Sequence, residues 1–189
     1  MKKNILLIDN DDSFTYNLVG LLRECGAQAV VANTAEAYPA MCARYSKILL
    51  SPGPELPAYY PNMMNIIEKF HKSKDILGVC LGCQAIGEFF GFKLKKLDFP
   101  MHGIKSEITI IAGDPLFGGM HGIFSAGRYH SWALDSSLIP DEIEVTSVDK
   151  HGVIMSIAHR KYRVRGLQFH PESIMTDMGR IIIGNWLEL

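Results

Sequence analysis

The sequence has no long apolar run. Its Ile181-Ile182-Ile183 stretch falls far short of the ~20 consecutive apolar residues that carry a helix across a bilayer. Neither sign of charge is in excess: 19 Lys and Arg face 20 Asp and Glu, a formal net charge of -1. Such a chain has no overall field to draw it to nucleic acid or to an anionic membrane. The local basic clusters do not change this. Lys93, Lys95 and Lys96 alternate with apolar residues as the solvated face of a strand would, and Tyr162 and Val164 break up the stretch from Arg160 to Arg165. Cysteine is scarce as well. Cys25, Cys42, Cys80 and Cys83 are too few for the disulfide framework of a secreted protein. The N-terminus passes from two lysines into strand-like sequence with no secretory apolar region or cleavage signal, so the cytoplasm is the expected compartment.

What is there is ordinary globular material. The 189 residues are 48% apolar and 21% charged, with no linker, repeat or low-complexity tract, which predicts one domain over 1–189 with a substantial core. Asn4 to Ile8 reads as a strand, and Phe14, Leu18, Leu21 and Leu22 give Ser13 to Glu24 a helical period that Gly26 stops. Further strands are expected at 27–32, 47–51 and 76–79, with helices at 34–45, 63–71 and 81–90. Strands alternating with helices at this spacing predict an α/β fold whose open, mostly parallel central sheet carries helices on both faces. After Gly91 the character changes. Strand candidates at 92–97, 106–110, 143–148, 153–158 and 164–169 lie close together between Gly, Pro, Asp and Ser, as antiparallel additions would, and a last helix is expected over 175–187.

One cysteine needs a chemical explanation. Gly78-Val79-Cys80-Leu81-Gly82 follows an apolar strand and resembles a nucleophile elbow, in which a sharp strand-to-helix turn lifts a reactive side chain above the sheet. Glycines at the flanking positions make the turn sterically possible. The free amides of the following helix would favour a negative sulfur, and the Leu81 N–H would meet an oxyanion formed beside it. A second donor is available from the Pro52-Gly53-Pro54 turn, which also ends a strand on the carboxyl edge where ligands collect in open α/β sheets. Two other readings stand beside this one: a buried structural cysteine, and a redox pair formed by Cys80 and Cys83. Zinc has less support, since His102 and His121 have no metal-ligand spacing with these cysteines.

A nucleophilic thiol requires a base, and usually a third group to orient that base. Phe169-His170-Pro171-Glu172 offers both where an apolar strand meets a proline turn. The short separation permits a local bond between His170 and Glu172 once the turn folds. Taken alone, His170 fits a packing role and Glu172 a solvated turn. Three parts of one mechanism at separate strand ends favour chemistry.

With those residues in hand, the sequence resembles the class I, triad-type glutamine amidotransferases, within them the branch that serves anthranilate and aminodeoxychorismate synthases. The resemblance rests on Gly78 to Gly87, on Ser51-Pro52-Gly53-Pro54, on Tyr129-His130-Ser131, on His170-Pro171-Glu172-Ser173 and on Asp12-Ser13-Phe14-Thr15-Tyr16-Asn17, which together span nearly the whole chain. It implies a glutaminase with Cys80 as nucleophile, His170 as base and Glu172 as its orienter. Gly53 and Leu81 would contribute oxyanion donors, and Gln84 with the Ser131-Trp132 backbone would bind L-glutamine. The implied partner is a chorismate-aminating synthase subunit that receives the ammonia. This chain would carry no cofactor or metal, with a magnesium ion expected in the partner. Anthranilate is the first expected product, with aminodeoxychorismate, or service to both partners, as the alternative. A reading of a different class is a catalytically weak regulatory subunit switched by Cys80 and Cys83. Two departures from the branch bear on activity: Cys83 stands where histidine is common, and Glu55 stands where a glycine often follows the second proline. The Glu55 side chain is expected to narrow its loop or hold it away from Cys80.

Overall fold

The computed structural model describes residues 4–189. In its first half, strands β1 (Asn4–Asp9), β2 (Gln28–Asn33), β3 (Lys47–Leu50) and β4 (Asp75–Val79) alternate with helices α1 (Thr15–Glu24), α2 (Pro39–Cys42) and α3 (Pro61–Phe70), and α4 (Leu81–Phe89) follows β4. The second half adds β5 (Leu94–Ile110), β6 (Ile123–Leu134), β7 (Ile143–Asp149), β8 (Ile154–His159) and β9 (Val164–Leu167), then α5 (Gly179–Glu188). The nine strands among the described residues form one sheet in the order β2-β1-β3-β4-β9-β8-β7-β5-β6. The expected α/β sheet is therefore present. Its pairings from β2 to β9 are parallel and those from β9 to β6 antiparallel, so the antiparallel part is as large as the parallel one.

Two cores flank the sheet because strand side chains alternate. Ile5 and Leu7 of β1 pack with Leu18 and Leu22 of α1 and with Ile182, Ile183 and Trp186 of α5. Leu6 and Ile8 face the other way, onto Met63, Ile66 and Ile67 of α3 and Ile86 of α4. Burying each such side chain is worth ~1.5–3 kcal/mol against leaving it in water, and a strand apolar on both faces is stable only between two such layers. Among the described residues no helix is long and apolar enough to cross a membrane.

Four segments differ from the sequence reading. The helix expected at 34–45 is only α2, because Pro39 opens it and the preceding Tyr38 is extended, as a residue before proline prefers. The strands expected at 92–97 and 106–110 are one, β5, bent by register shifts between Lys96 and Met101 and between His102 and Ile104. β6 was not expected. Gly127 within it weakens the strand pattern of the sequence, and its buried Arg128 and His130 hide the usual alternation of apolar and polar residues. The helix expected from 175 begins at Gly179. The backbone before it is used in turns that hold the preceding loop, with Ser173 N–H bonded to the His170 carbonyl and Thr176 N–H to that of Ser173.

Candidate active site

β4 and β9 are hydrogen-bonded neighbours with Val79 opposite Leu167. Parallel strands lie ~4.8 Å apart, so the residues just past their carboxyl ends, Cys80 and Gln168 to His170, come together. The Cys80 amide closes this junction by donating to the Leu167 carbonyl at 2.7 Å.

Cys80 has φ 51° and ψ -102°, a left-handed backbone for a residue with a side chain. Such strain costs of order 1–3 kcal/mol and persists only where its surroundings enforce it. Here the enforcement is backbone against backbone. A Cβ on Gly78 would lie 2.3 Å from the Gly82 carbonyl oxygen, and one on Gly82 would lie 2.5 Å from the Leu50 carbonyl oxygen. Both glycines are thus required for the turn, which sets Cys80 at the N-terminal end of α4.

The His170 side chain is buried, with its Nδ1 2.7 Å from Oε1 of an equally buried Glu172. Phe14 and Tyr129 pack against the ring with centroids at 5.1 and 4.9 Å. Nε2 has no well-formed hydrogen bond among the described residues and is the nitrogen left to meet Cys80. Burial opposes a charged imidazole, but hydrogen bonding and charge from Cys80 and Glu172 outweigh it and push the His170 pKa up to about 10.

In front of the sulfur lies a cavity of about 450 Å³ lined by Gly53, Cys80, Leu81, Gln84, Ser131 and Trp132, among others. That size suits a small ligand. Every residue expected at the site is therefore on this cavity, or, for His170 and Glu172, beside Cys80. Gly53 is packed so closely that a Cβ there would lie 2.6 Å from Leu81 Cδ2 and 2.8 Å from the Asn10 carbonyl oxygen. The expectation that Glu55 holds its loop away from Cys80 is not met, since the neighbouring Gly53 touches Leu81. Glu55 is exposed on the cavity wall with φ 67°, a conformation glycine adopts with less strain.

Cys83 does not fit the redox reading. It is fully buried on the sheet side of α4, where its Sγ would lie 2.6 Å from a Cβ on Gly166. Burial, then the nearby Cys80, pushes its thiol pKa up, away from the thiolate that disulfide exchange requires.

Three parts of the site were not assigned from sequence. Gln168 is fully buried and its Nε2 donates to Cys80 Sγ at 3.7 Å. Its position two residues before His170, which puts alternate residues of an extended chain on one side, was the available signal. Phe14, read as an apolar residue of the first helix, instead packs on the His170 ring. Arg128 carried no signal, being a charged side chain inside the sheet.

Comparison with known proteins identifies the family. Residues 6–188 match the family described as glutamine amidotransferase class-I. The chain is 40% identical over 184 residues to anthranilate synthase component 2 of Lactococcus lactis subsp. lactis, covering 97% of this chain and 93% of the relative. It is 39% identical over 185 residues to aminodeoxychorismate synthase component 2 of Klebsiella aerogenes, covering 97% and 98%. In fold it is similar to a glutamine amidotransferase from Thermotoga maritima, with a TM-score of 0.72 at 18% identity over 91% of this chain and 77% of that one. A candidate GMP synthase subunit from Thermoplasma acidophilum gives a TM-score of 0.89 at 22% identity, covering 100% and 94%. The family match over nearly the whole length, with relatives near 40% identity, shows that this chain belongs to the class I glutamine amidotransferases.

Proposed function

We propose that this chain is the glutaminase subunit of a chorismate-aminating synthase, with Cys80, His170 and Glu172 as its catalytic residues. The observation that carries the reading is the strained Cys80 turn beside a buried His170–Glu172 pair, both at the edge of one cavity. Cys80 sulfur attacks the side-chain amide carbon of L-glutamine. The C–N bond then breaks as His170 protonates the departing ammonia, and a glutamyl thioester remains. Water, deprotonated by His170, attacks the thioester, and glutamate leaves as the sulfur is restored. Glu172 keeps the imidazole oriented throughout. The backbone N–H groups of Leu81 and Gly53 receive the negative oxygen of each tetrahedral intermediate, where one donor is worth roughly 3 kcal/mol. Gln84, Ser131 and Trp132 hold the substrate.

The ammonia passes to a separate synthase subunit, which aminates chorismate with the help of its own magnesium ion; this chain works in the cytoplasm and needs no cofactor. Anthranilate is the product we favour. The aminodeoxychorismate synthase relative, at 39% identity beside 40%, supports the alternative product almost equally. The test combines the chain with each candidate synthase subunit, glutamine, chorismate and magnesium, and identifies the aromatic product. Cys80→Ser is expected to lower glutamine-dependent synthesis at least a hundredfold while synthesis from added ammonia continues. Undiminished glutamine turnover by Cys80→Ser, or no aromatic product with any partner, would overturn the proposal.

A further inference from the structure

Three buried side chains, His130 on the cavity lining and Arg128 and Asp149 behind it, have no part in the chemistry just described. Arg128 Nη1 donates to Asp149 Oδ2 at 2.5 Å, and both side chains are at most 2% exposed. Arg128 Nε donates to His130 Nε2 at 3.1 Å. A guanidinium has only donors, so His130 Nε2 must be the lone-pair nitrogen. The ring proton therefore sits on Nδ1, which donates to the Trp132 carbonyl at 2.8 Å. The same carbonyl accepts a second hydrogen bond from Gln84 Nε2 at 2.8 Å. The other hydrogen of that amide goes to Gln168 Oε1 at 3.2 Å, and Gln168 Nε2 reaches Cys80 Sγ. With both Gln84 hydrogens engaged, its own oxygen is the atom left to face the cavity.

This arrangement removes the usual freedoms of each group. A histidine beside a carbonyl ordinarily exchanges tautomers or takes up a proton. Here burial and the Arg128 charge hold the pKa of His130 down to about 3, so the ring stays neutral. A buried ion pair is weak support for stability, because the desolvation of both charges offsets their attraction. Its retention next to a binding wall accords with a role in specifying geometry.

We propose that Asp149, Arg128 and His130 form a positioning relay for glutamine. The buried ion pair fixes His130 as an Nδ1–H donor, and His130 with Gln84 pins the Trp132 carbonyl and so the Ser131–Trp132 wall of the cavity. The inference rests on the glutaminase reading. It adds that a cavity-lining histidine and a buried ion pair behind it set the affinity for glutamine.

The test uses the chain reconstituted with its synthase partner and compares two substitutions of one residue. In His130→Asn the amide nitrogen stands near the Nδ1 position and keeps the donor to Trp132. In His130→Gln the amide reaches the Nε2 position, where its oxygen can accept from Arg128, and the donor to Trp132 is lost. His130→Gln is expected to raise the KM for glutamine about tenfold, the equivalent of one neutral buried hydrogen bond, with a smaller fall in kcat and no change in ammonia-dependent synthesis. His130→Asn is expected to restore KM to within about threefold of the wild type. The double variant Arg128→Met with Asp149→Leu removes both charges together, so neither is left buried alone, and should raise KM as His130→Gln does. Equal KM in the wild type, His130→Gln and the double variant would overturn the relay. Equal impairment of His130→Asn and His130→Gln, with matching losses of Tm, would also overturn it in favour of a structural role. Failure of the wild-type complex to turn over glutamine in a Cys80-dependent way would instead remove the function itself, so the two failures are distinguishable.

Discussion

At the scale of single residues, His170 makes the most direct prediction. Its pKa of about 10 stands above the ~6.5 of a free imidazole, so the protonated ring favours the folded state. That contribution to stability is complete below pH ~6.5 and is lost as pH rises through about 10. In Cys80→Ala the sulfur no longer supports the charge, leaving Glu172 alone against burial, and the pKa falls. Imidazole NMR of the two proteins checks this: His170 should be protonated at about pH 8 in the wild type and titrate at lower pH in the variant, whereas identical titrations would show that the sulfur is not its partner. That Cys80, His170 and Glu172 come together was legible in the sequence because each stands in a short local pattern of Gly or Pro. Gln168 and Arg128 were not. Their roles depend on bonds across 88 positions to Cys80 and 21 to Asp149, which no local pattern records.

At the scale of elements, the β4–α4 turn is where sequence and structure correspond most closely. Its glycines have neighbours made of backbone, which cannot rotate aside as side chains can. Gly82→Ala, with its methyl 2.5 Å from the Leu50 carbonyl oxygen, must push α4 off β3. The expected cost is about 3 kcal/mol, the upper part of the range for overpacking, together with loss of glutaminase activity. Gly20→Ala serves as the control, because nothing lies within 4 Å of a Cβ there. As a helical Gly-to-Ala change in α1 it should stabilise by roughly 0.5–1 kcal/mol. Thermal melts of both variants measure the contrast, and a melting temperature for Gly82→Ala at or above that of the wild type would refute this account of the turn. The apolar strands of the first half could be read because burial on both faces leaves an unbroken run such as Ile5 to Ile8. β6 could not, since its inward side includes an arginine and a histidine that are satisfied only by tertiary partners.

At the scale of the whole molecule, the sheet joins a parallel half that carries Cys80 to an antiparallel half that carries His130, Ser131 and Trp132 of the cavity wall. The join is β9, parallel to β4 through Val79 and Leu167 and antiparallel to β8 through Ser156 and the same Leu167. The loop beyond it is tied back as well, by the Gly127–His170 bridge to β6. Melting either half therefore strips hydrogen bonds from a strand the other half needs. Unfolding in denaturant should be one cooperative transition, with tryptophan fluorescence, circular dichroism and residual glutaminase activity lost at the same midpoint. An activity midpoint well below the structural one would contradict this. The seam leaves little room for control by partial unfolding: order in one half without the other would cost the junction of Cys80 with His170 itself. A signal that tunes this enzyme while leaving it folded has the segments above the sheet edge to act on, such as the loop bearing Glu55.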